Sequence, residues 1–485
     1  MKMKKTLTII FIVALLFIPQ GCDQAKKPAD LKYPPLQYDP PDPADFRFEL
    51  ASGLRGYFQE DHRLPLFNIS AIVNFGSQYV PKNKKGLASI MSQTMIKGGT
   101  KTREGSDIED RINFIGGGLS FRAGARTSTL SLNVLIEDLD EGLELFFDVL
   151  MNPEFRQGPV NLAKVSSIQG LRQANDQPNS VLSREYSRLL YGDHPLTWDP
   201  TQATYESVSP SDLKAVHSQY FFPANIILAA AGDFDKDELK NKIEMATANW
   251  ENTDLQFPSF STTFPEPEPG VYFIQKSISQ GYINIGHLGL EDTNPDYFAV
   301  QVMNFILGGG SFTSRITMKV RSDEGLSYSQ GSRFRYTWGF PGTFSGFVTT
   351  KSSTVGYAIS LILDEFNRIR NEPVSDDEMT VAIEYYLESF PNSFTSPQST
   401  MSTFANLEMT GKSMDYYKTY RDNIRAVDKA KVQEVANKYI HPDKAIIMIV
   451  GDFEPSNEGG NQWPGPLDKL GKIHTIILKN PLTGK

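Results

Sequence analysis

The chain has 485 residues, a formal net charge of −9 and a single cysteine. The acidic balance argues against a nucleic-acid partner. One cysteine rules out an internal disulfide, so the fold must rest on core burial, for which about 460 residues beyond the leader suffice for two domains or more.

The first stretch reads as a targeting segment. Lys2, Lys4 and Lys5 precede an apolar run from Leu7 to Ile18, broken only by Thr8. At about 12 residues the run is too short to span a bilayer as a helix. Gly21-Cys22 follows at once and resembles a bacterial lipoprotein cleavage site, which would leave Cys22 as the lipidated first residue of an exported, periplasmic or cell-envelope protein. Pro19 and Gln20 depart from that pattern. An ordinary cleaved signal with an incidental Cys22 is the alternative. The Pro-rich residues 23–45 read as an extended tether.

Beyond the tether, Ile69 to Phe75 alternates like a half-buried strand and Gly86 to Lys97 reads as a helix. Thr127 to Leu135 alternates again, and Asp140 to Leu150 is an amphipathic helix. Residues 256–270 contain Pro-Glu-Pro-Glu-Pro-Gly and read as an interdomain linker. Tyr282 to Leu288 is strand-like, and Tyr297 to Leu307 and Val355 to Arg368 are helix-like. The halves on either side of the linker repeat. Tyr220-Phe-Phe-Pro223, an apolar run and Gly232-Asp-Phe234 recur as Tyr439-Ile-His-Pro442, an apolar run and Gly451-Asp-Phe453, at one offset of 219 residues. Five matches at one offset indicate an internal duplication. The expected organisation is residues 1–22 signal and lipobox, 23–45 tether, 46–255 first domain, 256–270 linker and 271–485 second domain. The expected fold class is α+β: two homologous domains, each a mostly antiparallel sheet with helices packed on one face. Asp233 and Asp452, in the duplicated turn, read as capping or turn residues.

Gly86-Leu-Ala88 and Lys97-Gly-Gly-Thr100 bracket one stretch of interest. They look like the frame around the inverted zinc motif His-x-x-Glu-His of the insulinase and pitrilysin family. In that motif two imidazoles four residues apart share a helix face and grip one metal, and the Glu between them is the general base. Here the two His positions are Ser89 and Gln93 and the Glu position is Ser92. A distal Glu ligand should precede Asp176-Gln-Pro178, and its place falls at Gln169 or Gly170. None of these is a usual zinc ligand or a base near neutral pH. The six histidines, His62, His194, His217, His287, His441 and His474, include no helical pair and read as surface or structural residues.

The second half carries Leu307-Gly-Gly-Gly310-Ser-Phe-Thr-Ser-Arg315, then Val320-Arg321-Ser-Asp-Glu-Gly325-Leu-Ser-Tyr328. The string resembles the family's second-domain signature, in which an Arg and a Tyr seven residues apart help hold the substrate and the tetrahedral intermediate. The matching residues are Arg321 and Tyr328; the plainer reading is a packing Arg and a strand-end Tyr. The resemblance covers nearly the whole chain after the tether. It implies a non-zinc subunit of a heteromeric metallopeptidase, inactive alone, with Arg321 and Tyr328 acting in trans on a peptide held by a zinc-bearing relative. No cofactor is expected on this chain; zinc is expected on the partner, and a lipid anchor on the membrane. A non-enzymatic peptide-binding or scaffold protein of the same fold is the alternative. An independent peptidase has little support, since no Gly-x-Ser-x-Gly elbow occurs and no Cys remains after the leader.

Overall fold

Each half of the chain lays down a similar six-stranded sheet, for reasons visible in its strands. The computed structural model describes residues 37–485 except residue 465. The signal, Cys22 and most of the Pro-rich stretch therefore lie outside the described residues. The first sheet comprises β1 (Arg47–Glu49), β2 (Arg55–Glu60), β3 (Leu66–Val73), β4 (Gly118–Ala123), β5 (Ser128–Leu135) and β6 (Ile226–Gly232), in the order β1-β2-β6-β3-β5-β4. The second comprises β7 (Gly270–Gln275), β8 (Gln280–Leu288), β9 (Ser329–Arg335), β10 (Thr343–Lys351), β11 (Ile446–Gly451) and β12 (Ile473–Thr475), in the order β12-β7-β11-β8-β10-β9. Most pairings are antiparallel; β2–β6, β7–β11 and β7–β12 are parallel. The two sheets differ at one edge, where β1 pairs antiparallel and β12 parallel. In both sheets the strand made by the apolar run, β6 or β11, is central and wholly buried.

The helices used below are α1 (Leu87–Thr94), α2 (Gly105–Phe114), α3 (Leu139–Met151), α4 (Gln157–Arg172), α5 (Pro178–Tyr191), α6 (Pro210–Tyr220), α7 (Tyr297–Asn304), α8 (Val355–Asn371), α9 (Pro397–Met409) and α10 (Lys429–Tyr439). The duplication is carried in full: α6, the 3-10 turn Pro223–Asn225 and β6 recur as α10, the turn Pro442–Lys444 and β11. Ser209 and Asp428 start the two helices alike, each accepting the N–H three residues on.

One face of each sheet packs on its own half's helices. Phe67, Ile69 and Leu228 join Leu145 and Phe146 of α3 in the first core, and Ile283, Phe344 and Ile449 join Ile362 and Phe366 of α8 in the second. The other face takes a helix from the opposite half. Met401, Phe404 and Ala405 of α9 cover Tyr57, Ile227 and Ala229 of the first sheet. Val181, Leu182 and Tyr186 of α5 cover Ile274, Met448 and Val450 of the second. An all-apolar strand such as β6 requires cover on both faces, and this exchange supplies it.

Some sequence expectations shift. The helix expected to Leu307 is α-helical only to Asn304 and continues as a π-helical turn, Phe305–Gly309. A Cβ on Gly308 would lie 2.3 Å from the Ser332 nitrogen, so β9 approaches this turn too closely for any larger residue. Asp233 and Asp452 make no side-chain cap; Asp233 pairs with His62 at 2.6 Å and Asp452 accepts from Gln275 at 3.1 Å. Residues 251–268 contain no helix or strand, yet Phe257 and Phe264 dock at 5.3 and 5.4 Å on Tyr79 and Tyr191. The end of the Pro-rich stretch is also tied down, through Asp42 and Lys418 at 2.7 Å.

Candidate functional site

The first set of candidate residues lies on α1. This helix turns Leu87, Ala88, Ile90, Met91 and Thr94 into the core and leaves Ser89, Ser92 and Gln93 on the other side. Its entry depends on Gly86, whose φ is +106° and whose Cβ, if present, would lie 2.6 Å from the Tyr205 ring. Ser92 Oγ donates to the Ala88 carbonyl at 3.0 Å and accepts from the Ala123 N–H of β4 at 2.8 Å. Gln93 Nε2 donates to Ser167 Oγ of α4 at 2.9 Å. Burial raises the Tyr205 hydroxyl's pKa, and Ser89 and Ser167 beside it lower it in part. Neutral hydrogen bonds thus join Ser92 to β4 and Gln93 to α4.

Gly170 lies three residues after Ser167, one helical turn along the same side of α4, and a Cβ there would meet nothing within 4 Å. Gln169 is exposed and accepts from Arg172 at 3.3 Å. Gly170 is exposed too, and helix phase alone places it on the side of α4 that carries Ser167, the partner of Gln93. Zinc requires thiolate, imidazole or carboxylate donors. Two hydroxyls, an amide and a glycine do not fit it. Among the described residues, no group of three or more His, Cys, Asp or Glu is placed to hold a metal ion.

Beside Ser92 and Gln93 opens a cleft of about 1080 Å³, walled by α2, α4 and β4. β4 is the edge strand of its sheet. Leu162 is 69% exposed at the rim. Nearby, Lys85 is a residue that motif reading missed. It is buried, donates to the Ser77 and Pro195 carbonyls at 2.8 Å each, and burial pushes its ammonium down to about 8. Nothing in the sequence marks it, because its partners are carbonyls of distant loops.

The second set lies at the edge of the other sheet. Arg321 sits in a π-helical turn, Met318–Asp323, and Tyr328 immediately precedes the edge strand β9. Gly325, at φ +63°, reverses the chain between them. The Arg321 guanidinium stands 5.0 Å from the Tyr328 ring centroid and 4.6 Å from that of Phe312. Tyr328 is 89% exposed. Glu324, the nearest acid in sequence after Asp323, is engaged by Lys319 at 3.0 Å. The fold thus brings Arg321 and Tyr328 together. Among the described residues, no hydrogen bond, ion pair or ring contact joins them to Ser89, Ser92 or Gln93.

Residues 59–198 match the family profile described as insulinase, peptidase family M16, and residues 207–386 match the peptidase M16 inactive domain. The non-peptidase homolog YmxG of Helicobacter pylori is 22% identical over 400 residues, 81% of this chain and 91% of that protein. The uncharacterized zinc protease YmxG of Bacillus subtilis is 21% identical over 409 residues, 83% of this chain and 97% of that protein. Among solved structures, the peptidase M16 inactive domain from Pseudomonas fluorescens superposes with a TM-score of 0.74 at 22% identity, covering 84% of this chain and 98% of that one. The periplasmic protease PqqL of Escherichia coli superposes at 0.70 and 14% identity, covering 84% of this chain and 45% of PqqL.

Proposed function

The chain belongs to the insulinase, or M16, peptidase family, and on that premise we propose that it is the non-zinc subunit of a heteromeric peptidase. The observation that carries the reading is a contrast within one molecule. The metal-motif positions hold Ser89, Ser92, Gln93 and Gly170, while the half-buried Arg321 lies against Tyr328, whose ring is open to solvent. A zinc-bearing relative supplies the metal chemistry. This chain supplies an Arg cation and a Tyr hydroxyl that donate to the oxygen on which negative charge develops during peptide hydrolysis. The cleft beside α1, bordered by the free edge of β4, offers room for a bound peptide strand.

Co-expression with a zinc-bearing relative tests this. The expected outcome is a complex with peptidase activity that neither chain has alone; a monomer inert with every such relative counts against it. A scaffold reading is favoured by one feature, the stacking of Arg321 between Phe312 and Tyr328, which also serves packing. The amino terminus supports a lipid anchor at Cys22 in the cell envelope. Cys22→Ser should move the protein from the membrane to the soluble fraction on cell fractionation; retention in the membrane contradicts that anchor.

A further inference from the structure

The second sheet carries a pair of arginines without acidic partners. Arg333 and Arg335 alternate on β9, so their side chains leave the same face. Opposite them on β10 stand Ser345 and Thr343, and Phe347 of β10 faces Asn284 of β8. This face is the one turned away from the core, which takes Phe334 and Phe344 instead. Helix α5 covers the middle of the face, with Tyr186 donating to the Phe344 carbonyl at 2.8 Å. Between α5 and the edge strand remains a pocket of about 260 Å³. Its helix wall presents Asn179, Ser183 and Ser187, one polar residue per turn.

No Asp or Glu lines this pocket. The Arg333 guanidinium lies 4.1 Å from the Phe347 ring centroid, and its buried Nε has no hydrogen-bond partner. Among the described residues, no carboxylate pairs with Arg333 or Arg335. The buried Arg315, by contrast, is neutralised by Glu378 at 2.6 Å. Two uncompensated cations side by side, one partly buried, raise each other's energy. Burial and the neighbouring Arg335 both depress the protonation of Arg333. An added anion relieves both penalties and finds forked donors, hydroxyls and an amide already in place.

We propose that this pocket is a binding site for carboxylates carried on an extended acidic peptide. Residues two apart on a strand are about 7 Å apart, and so are alternate side chains of an extended peptide. A Glu-x-Glu segment thus matches Arg333 and Arg335 one to one, and the polar wall of α5 meets its backbone. The same guanidinium chemistry also accepts a free oxyanion such as phosphate, so both sources are tested.

The experiment is fluorescence anisotropy on the purified chain alone, which makes its outcome independent of any zinc-bearing partner. The probes are a labelled peptide with a central Glu-x-Glu and its Gln-x-Gln counterpart, with inorganic phosphate as competitor. The Glu peptide should bind, should weaken with salt, and should exceed the Gln peptide by at least about tenfold. Arg335→Gln and Arg333→Gln should each weaken it by a similar factor, with thermal unfolding confirming that the variants fold. Arg335 is exposed, so its variant keeps the test usable if Arg333→Gln fails to fold. Phosphate binding that both substitutions abolish, without peptide binding, supports an oxyanion site and overturns the peptide source. Equal binding of the two peptides, binding unchanged by both substitutions, or no binding of peptide or phosphate at about 1 mM overturns the proposal.

Discussion

Ser92 uses its hydroxyl to pin α1 to β4. Its oxygen donates to Ala88 and accepts from Ala123, so both directions of bonding are taken. Gln93 likewise spans to Ser167. These residue types were legible from the bracketing glycines alone. Their partners were not, because Ser167 and Ala123 lie far along the chain and no spacing rule links them to α1. The choice between Gln169 and Gly170 also needed the helix phase of α4. That phase carries a prediction: Ser89→His, Gln93→His and Gly170→Glu together restore two imidazoles and a carboxylate to facing positions. Open space at Gly170 leaves room for the new side chain. After dialysis the triple variant should retain about one zinc per chain by metal analysis and the unaltered chain none. A folded triple variant without zinc would contradict the facing geometry.

At the scale of elements, the two halves are stitched by exchanged helices. Phe404 on α9 is fully buried against the first sheet, and Glu408 on the same helix binds Arg47 and Arg55 at 3.0 and 3.1 Å. Phe404→Ala, although in the second half, should destabilise the first half by about 3–5 kcal/mol. Hydrogen exchange is the readout, with protection of the β6 amides expected to fall. Unchanged protection of β6 would mean that α9 contributes little there. The exchange departs from the expected fold, which placed helices on one face of each sheet. The second face is covered by a helix from the other half, and nothing local in β6 says which helix that is. The π-helical turns were invisible for another reason. The first, Phe305–Gly309, sits where β9 comes up against Gly308, a contact between separate segments that no local pattern marks.

Over the whole molecule, the offset of 219 residues read from a few turn residues extends to matching helices, turns and strands. That is why the fold class could be read from sequence: duplicated periodicity constrains both halves at once. The chemistry has diverged between them. On the proposed reading, one half keeps the frame of a metal site without its ligands, and the other keeps a half-buried Arg321 beside an exposed Tyr328. The most direct test of the account is the turnover of a reconstituted complex with the zinc-bearing relative, comparing Tyr328→Phe and Arg321→Ala with the unaltered chain. Phe keeps the ring beside Arg321 and removes only the hydroxyl. The account predicts that Tyr328→Phe lowers kcat by roughly a hundred- to a thousandfold, with assembly and zinc content unchanged. Turnover within about twofold for both variants would contradict it and assign these residues to packing.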